Sequence, residues 1–196
     1  MVASRFDETL SFYCGGIDNL YRHHDYNIAI LESLRPYPMA RYWLHGHHLF
    51  IAGKKMSKSR GNILYSSDLR ARGYSPAEIR FFLINGHYRE KLDYTEKAMQ
   101  AAAETLREVR GRIRALVRRA GRVKPVADDR ARRFKKIFQT HMDRDLEVRQ
   151  AFAGIARELT ERDPAGIAPQ TAAASLAALR EIDAVLQVLF APPSRG

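Results

Sequence analysis

The sequence predicts an α/β segment followed by an all-α helical bundle, mainly α overall, and three observations carry that reading. Residues 10–95 mix short apolar runs, glycine pairs and helical stretches. Residues 96–190 place apolar side chains at three- and four-residue spacing almost throughout, the period of helices that pack on one side. The change falls near Tyr94-Thr95, which divides the chain into regions 1–94 and 95–196.

In the first region, Leu10 to Tyr13 is a short apolar run ending at Gly15-Gly16, and Asp18 to Leu34 carries Leu20, Ile28, Ile30 and Leu31 in a helical pattern. That order reads as a strand, a glycine turn and a helix. Pro36 and Pro38 break the helix, Tyr42 to Phe50 is a second strand region, and the chain turns at Gly53 into a polar loop, Ser57 to Asn62. Ser67-Asp68 caps a short helix ending at Gly73, and Ser75 followed by Pro76 and Glu78 spells a capping box for a helix running to about Ile84. In the second region Thr95 caps a long helix with the stripe Met99, Leu106, Val109, Ile113 and Leu116, ended by Gly121 and Pro125. Further helices are predicted over 127–142, 145–161 and 169–190, together a four-helix bundle.

Across its 196 residues the chain has 45% hydrophobic and 28% charged side chains, the composition of a soluble globular protein. No apolar run approaches the roughly 18 residues of a membrane span. The N-terminal residues lack the apolar core of a secretory signal, and one cysteine excludes an internal disulfide framework, so a cytoplasmic location is expected. The formal charge of +11 favours polyanionic partners. Residues 107–136 hold thirteen basic and three acidic side chains. Such a segment is either a solvated helix face or an RNA contact, with Arg110, Arg114, Arg118 and Arg119 the candidates for the latter.

The strongest local signal is Lys54-Lys55-Met56-Ser57-Lys58-Ser59-Arg60-Gly61-Asn62. Taken alone, a Lys-Ser loop is a solvated turn; placed at a triphosphate, two lysines on a mobile loop can follow charge onto departing pyrophosphate, with serine hydroxyls and backbone N–H groups as further donors. Residues 55–59 spell KMSKS, the signature loop of class I aminoacyl-tRNA synthetases. Tyr42-Trp43-Leu44-His45 before it and Ile79 to Ile84 with Gly86-His87-Tyr88-Arg89 after it resemble the cysteinyl-tRNA synthetases. So do Gly15-Gly16-Ile17-Asp18 and His23-His24, and, more weakly, His141-Met142-Asp143-Arg144-Asp145. The resemblance implies half of a Rossmann-type nucleotide-binding fold and a bundle like that family's stem and tRNA-contacting region. It implies Mg-bound ATP as cofactor, with Lys55 and Lys58 holding phosphates, Gly15 and Gly16 admitting the nucleotide, and Ser57 and Ser59 donating to it. Asp18 would accept from a ribose hydroxyl or cap the following helix; Met56 would pack beneath the adenine side or fill core; Trp43 and His45 would line the pocket.

Departures from the family bound the activity expected. The HIGH signature of the family's first half has no counterpart here, so the chain is expected to act only with a separately encoded HIGH-bearing N-terminal half, or to self-associate through an uncovered sheet. Of the family's zinc ligands only His23 stands at a matching position: Asn27 replaces a Glu, a poor exchange for a carboxylate on Zn²⁺, and the expectation is that zinc is lost. Cys14 takes a glycine's place and reads as a small packed side chain. Two other readings accompany the first: a non-catalytic paralog binding tRNA or other RNA, and a relative of the mycothiol-pathway ligases that join cysteine to a sugar amine, which Lys58 to Asn62 also fits.

Overall fold

The computed structural model describes residues 8–190. Strand β1 (Leu10–Gly16) pairs in parallel with β2 (Ala40–Gly46), in a register that sets Tyr13 beside Trp43 and Gly16 beside Gly46. Helix α1 (Asp25–Leu34) makes the crossover between them. It is shorter than the apolar pattern from Asp18 suggested. The chain first makes a 3₁₀ turn over Ile17–Asn19, and Tyr21 and Arg22 then leave helical geometry, Arg22 at φ +71°. No residue of α1 is buried.

A second sheet follows, in the order β4-β3-β5. Strand β3 (Leu49–Ile51) turns at Ala52 and Gly53, both with positive φ, into the antiparallel β4 (Lys54–Lys55), and pairs on its other side in parallel with β5 (Leu92–Tyr94). Helix α2 (Ser66–Ala71) begins one residue before the predicted cap. Asp68 lies inside its first turn and its carboxylate accepts from the Tyr65 N–H at 2.8 Å. Helix α3 (Pro76–Ile84) has the predicted capping box: Ser75 Oγ accepts from Glu78 N, and Glu78 Oε2 accepts from Ser75 N at 2.7 Å.

The remaining helices are α4 (Glu96–Ala120), α5 (Asp129–Met142), α6 (Val148–Thr160) and α7 (Pro169–Leu186). Thr95 caps α4 and Gly121, at φ +55°, ends it. Helix α6 starts three residues later than predicted because Asp145 and Leu146 both adopt positive φ. Helix α7 stops four residues early: Gln187 turns left-handed at φ +56°, and the Asp183 carboxylate collects the N–H groups of Val188, Leu189 and Phe190 at 2.7, 2.7 and 3.0 Å. Val188 and Leu189 are buried through that turn. The core joins α3 to the bundle, with Phe81 packed at a tilt against Phe152 at 4.2 Å between centroids and Leu106, Phe134 and Leu179 fully buried.

Candidate functional site

The glycine turn is tight because its own side chains fill it. A Cβ at Gly15 would lie 2.5 Å from His24 Cε1, and one at Gly16 would lie 2.6 Å from Asp18 Oδ1. The space these glycines leave is therefore taken, within the described residues, by the His24 ring and the Asp18 carboxylate. His24 is 3% exposed; its Nδ1 stands 2.8 Å from His45 Nε2, and the rings of Tyr13 and Trp43 flank it at 4.9 and 5.2 Å. Burial, then the neighbouring His45 and His23, push the His24 pKa below its ordinary value, against a smaller opposing pull from Asp25. Trp43 and His45 are half-buried against this histidine. His23 points to solvent, and no group of three or more His, Cys, Asp or Glu among the described residues is placed to hold a metal ion. Cys14 is exposed, contrary to its reading as a packed side chain. Strand alternation puts it with Phe12 on the uncovered side of β1.

The β3–β4 hairpin carries the KMSKS segment to this turn. Gly53 N donates to both carboxylate oxygens of Asp93, at 3.0 and 3.1 Å, which fixes the hairpin tip on β5. Lys54 faces solvent, and Lys55, half-buried, reaches across to Asp18: Nζ lies 3.2 Å from Oδ2. His48 completes the contact, its Nε2 being 2.9 Å from Lys55 Nζ and 3.3 Å from Asp18 Oδ2. The Lys55 hydrogen bond is the main influence holding the Asp18 carboxyl below its ordinary range. Beyond Lys55 the loop is stapled by Asn62, whose Oδ1 accepts from Ser57 N at 3.0 Å and whose Nδ2 donates to the Lys55 carbonyl at 3.2 Å. Met56 and Ser57 are half-buried. Lys58 and Ser59 are exposed on a 3₁₀ turn that Gly61 closes at φ +64°, and the Ser57 and Ser59 hydroxyls lie 3.3 Å apart.

Lys55 thus meets Asp18 beside the Gly15-Gly16 turn, and Met56 to Ser59 follow it in the loop. Sequence reasoning missed His48 and Asp93. Pairing the residues on either side of Gly53 as a hairpin would have brought His48 toward Lys55; nothing local to Asp93 announces its reach to Gly53.

The basic segment divides into internal and external arginines. Arg110 is half-buried, donating from Nε to the Val188 carbonyl at 2.7 Å, and desolvation lowers its pKa. Arg119 donates from Nε to the Ile167 carbonyl at 2.6 Å. Arg130 is buried against Glu158, which also receives Arg133. Arg114 and Arg118 face solvent, and Arg112, Arg118 and Arg119 line an open groove of about 480 Å³ with Asp163. Of the four candidate RNA contacts, Arg114 and Arg118 stand outward, Arg119 is exposed on the groove while bonding the Ile167 carbonyl, and Arg110 is half-buried against the Val188 carbonyl. The His141 to Asp145 stretch has a structural task. Asp145 accepts from Tyr88 Oη at 2.6 Å and Arg89 Nε at 2.5 Å, and its carbonyl meets His87 Nε2 at 2.9 Å, tying the residues after α3 to the bundle.

A family model described as the tRNA synthetases class I (C) catalytic domain matches residues 1–104, just over half of the chain. The chain belongs to the class I cysteinyl-tRNA synthetase family. Among its relatives, the cysteine–tRNA ligase of Chlamydia muridarum is 36% identical over 197 residues, covering 93% of this chain and 42% of the relative. That of Chlamydia trachomatis serovar D is 35% identical over 211 residues, covering 98% and 44%. That of Symbiobacterium thermophilum is 33% identical over 200 residues, covering 96% and 42%. The chain thus spans about two fifths of the length of these relatives. In fold it is similar to the LeuRS of Agrobacterium radiobacter, solved in a ternary complex with tRNA and LeuAMS, with a TM-score of 0.72 at 18% identity over 91% of this chain and 26% of that one. No helix among the described residues is long and apolar enough to cross a membrane.

Proposed function

We propose that this chain contributes the ATP side of a centre that forms an aminoacyl-adenylate and charges tRNA, and that a HIGH-bearing synthetase half completes it. The observation that carries the reading is the meeting of the first KMSKS lysine with the glycine turn: Lys55 Nζ lies 3.2 Å from Asp18, with Lys58 free beside it. A donor-only ammonium on a loop, next to a carboxylate able to accept from a ribose hydroxyl, suits a nucleotide that is held at the ribose and drawn at its phosphates. Gly15, Gly16, Ser57 and Ser59 supply the surrounding backbone and hydroxyl groups. ATP, with Mg²⁺ neutralising its phosphates, is the cofactor of this reading, and tRNA and the second half are its partners. Asn27 in a ligand position leaves His23 without the carboxylate that a zinc site would need.

Calorimetry of ATP binding tests it. The natural chain is expected to bind, and Lys55→Ala/Lys58→Ala to lose at least about tenfold in affinity; equal binding in both would remove the KMSKS loop from the site. Cysteine-dependent pyrophosphate exchange on mixing with a HIGH-bearing half tests completion. A second reading, a non-catalytic RNA-binding paralog, is favoured by the outward Arg114 and Arg118 beside the groove of Arg112. It predicts RNA binding that weakens steeply with salt and loses roughly two units of salt slope in Arg114→Ala/Arg118→Ala.

A further inference from the structure

We infer that His48 is the positioning residue for the first KMSKS lysine, its ring accepting from the Lys55 ammonium and holding it on the glycine turn; the inference rests on the proposed nucleotide site. Three groups converge there from three parts of the chain: Asp18 from the turn after β1, Lys55 from β4, and His48 from the connection between β2 and β3. Lys55 Nζ is 2.9 Å from His48 Nε2 and 3.2 Å from Asp18 Oδ2, and His48 Nε2 is 3.3 Å from the same oxygen. The His48 ring lies against the turn itself, its Cε1 3.7 Å from where a Cβ on Gly16 would stand. His47 lies edge-on to the His48 ring at 5.9 Å between ring centroids.

Donor chemistry fixes the tautomer. A lysine ammonium has three donors and no lone pair, so the Nε2 it approaches at 2.9 Å accepts, and the neutral ring carries its proton on Nδ1. In that state Lys55 is shared between two acceptors. The ring that accepts at Nε2 thus holds the ammonium over the turn, beside the Asp18 oxygen 3.3 Å away.

Nitrogen-15 NMR of the histidine rings tests this with no nucleotide present. At about pH 8 Nε2 of His48 is expected to resonate as an unprotonated acceptor. Its resonance is expected to move in Lys55→Met, where the donor is gone, and an Nε2-protonated ring, or a resonance indifferent to that substitution, would overturn the proposal. A second arm follows ATP affinity: His48→Leu is expected to lose roughly fivefold, and His48→Gln, which keeps an acceptor, to restore most of it. Equal affinity in His48→Leu and the natural chain would overturn the nucleotide consequence. If NMR shows the dock and ATP does not bind, the nucleotide reading fails while the positioning of Lys55 stands.

Discussion

Glu78 shows how much one side chain can decide. Its carboxylate is 7% exposed and accepts from Ser75 N and Ser75 Oγ, each at 2.7 Å, and from Arg107 Nε at 2.6 Å, so it starts α3 and pins that helix to α4 at once. Burial pulls its pKa upward, and the Ser75 and Arg107 hydrogen bonds outweigh that pull and leave it below the ordinary 4.5. With the folded value depressed, the associated stability is fully present above pH 4.5 and is lost as pH falls through the folded value. Glu78→Gln is expected to lower stability by about 1.5–3 kcal/mol at neutral pH, with the gap to the natural chain narrowing in acid; urea denaturation at both pH values measures it. The Ser75-Pro76-Glu78 spacing announced the cap in the sequence. Arg107 as its partner was invisible, because the two residues meet only where α3 lies on α4. The carbonyl partners of Arg110 and Arg119 were hidden for the same reason: an arginine's sequence neighbours do not show that a carbonyl from α7's terminal turn, or from the segment preceding α7, lies within reach.

At the scale of elements, the hairpin and its loop behave as one unit. Asp93 grips the tip at Gly53, and Asn62 bridges the two sides of the loop through Ser57 N and the Lys55 carbonyl. Asn62→Ala is expected to cost only about 0.5–1.5 kcal/mol of global stability, since the loop is at the surface, and to weaken ATP binding about tenfold by freeing Lys55 and Lys58 from a common frame. Thermal unfolding and calorimetry on one sample separate the two effects. An affinity equal to that of the natural chain would show that the loop forms its frame without Asn62. Periodicity located α4 to α7 well because each has one apolar stripe facing a common core. It misjudged the stretch after Gly16, where Leu20, Ile28, Ile30 and Leu31 suggested one helix. The backbone instead reverses at Arg22 so that His24 can enter the space over Gly15. It overran α7 because Val188 and Leu189 continue the apolar stripe while Asp183 folds them back.

For the whole molecule, the distribution of exposed apolar surface matters most. The bundle is well buried, whereas β1 and β2 form a two-stranded sheet with Phe12 and Tyr42 stacked at 5.4 Å and 61% exposed each; α1 adds Tyr26, Ile30 and Leu34. Short parallel sheets ordinarily have both faces covered, and an uncovered aromatic pair with open strand edges invites association. Concentration-dependent association is expected by light scattering at micromolar protein, weakened at least about fivefold in Phe12→Ser/Tyr42→Ser. A monodisperse monomer at all concentrations would contradict it.

The sequence by itself determined the helical stripes, the caps at Ser75 and Thr95, the polar KMSKS loop and the resemblance that the family match supports, because each of these is written in residues adjacent or one helical turn apart. Tertiary structure alone decided that Asp18, His48 and Lys55 share one contact, that Gly15 makes room for His24, and that Arg110 braces a helix while Arg114 faces solvent. Those outcomes depend on which carbonyl, carboxylate or ring a distant stretch of chain brings within hydrogen-bonding distance, and no local pattern encodes that approach.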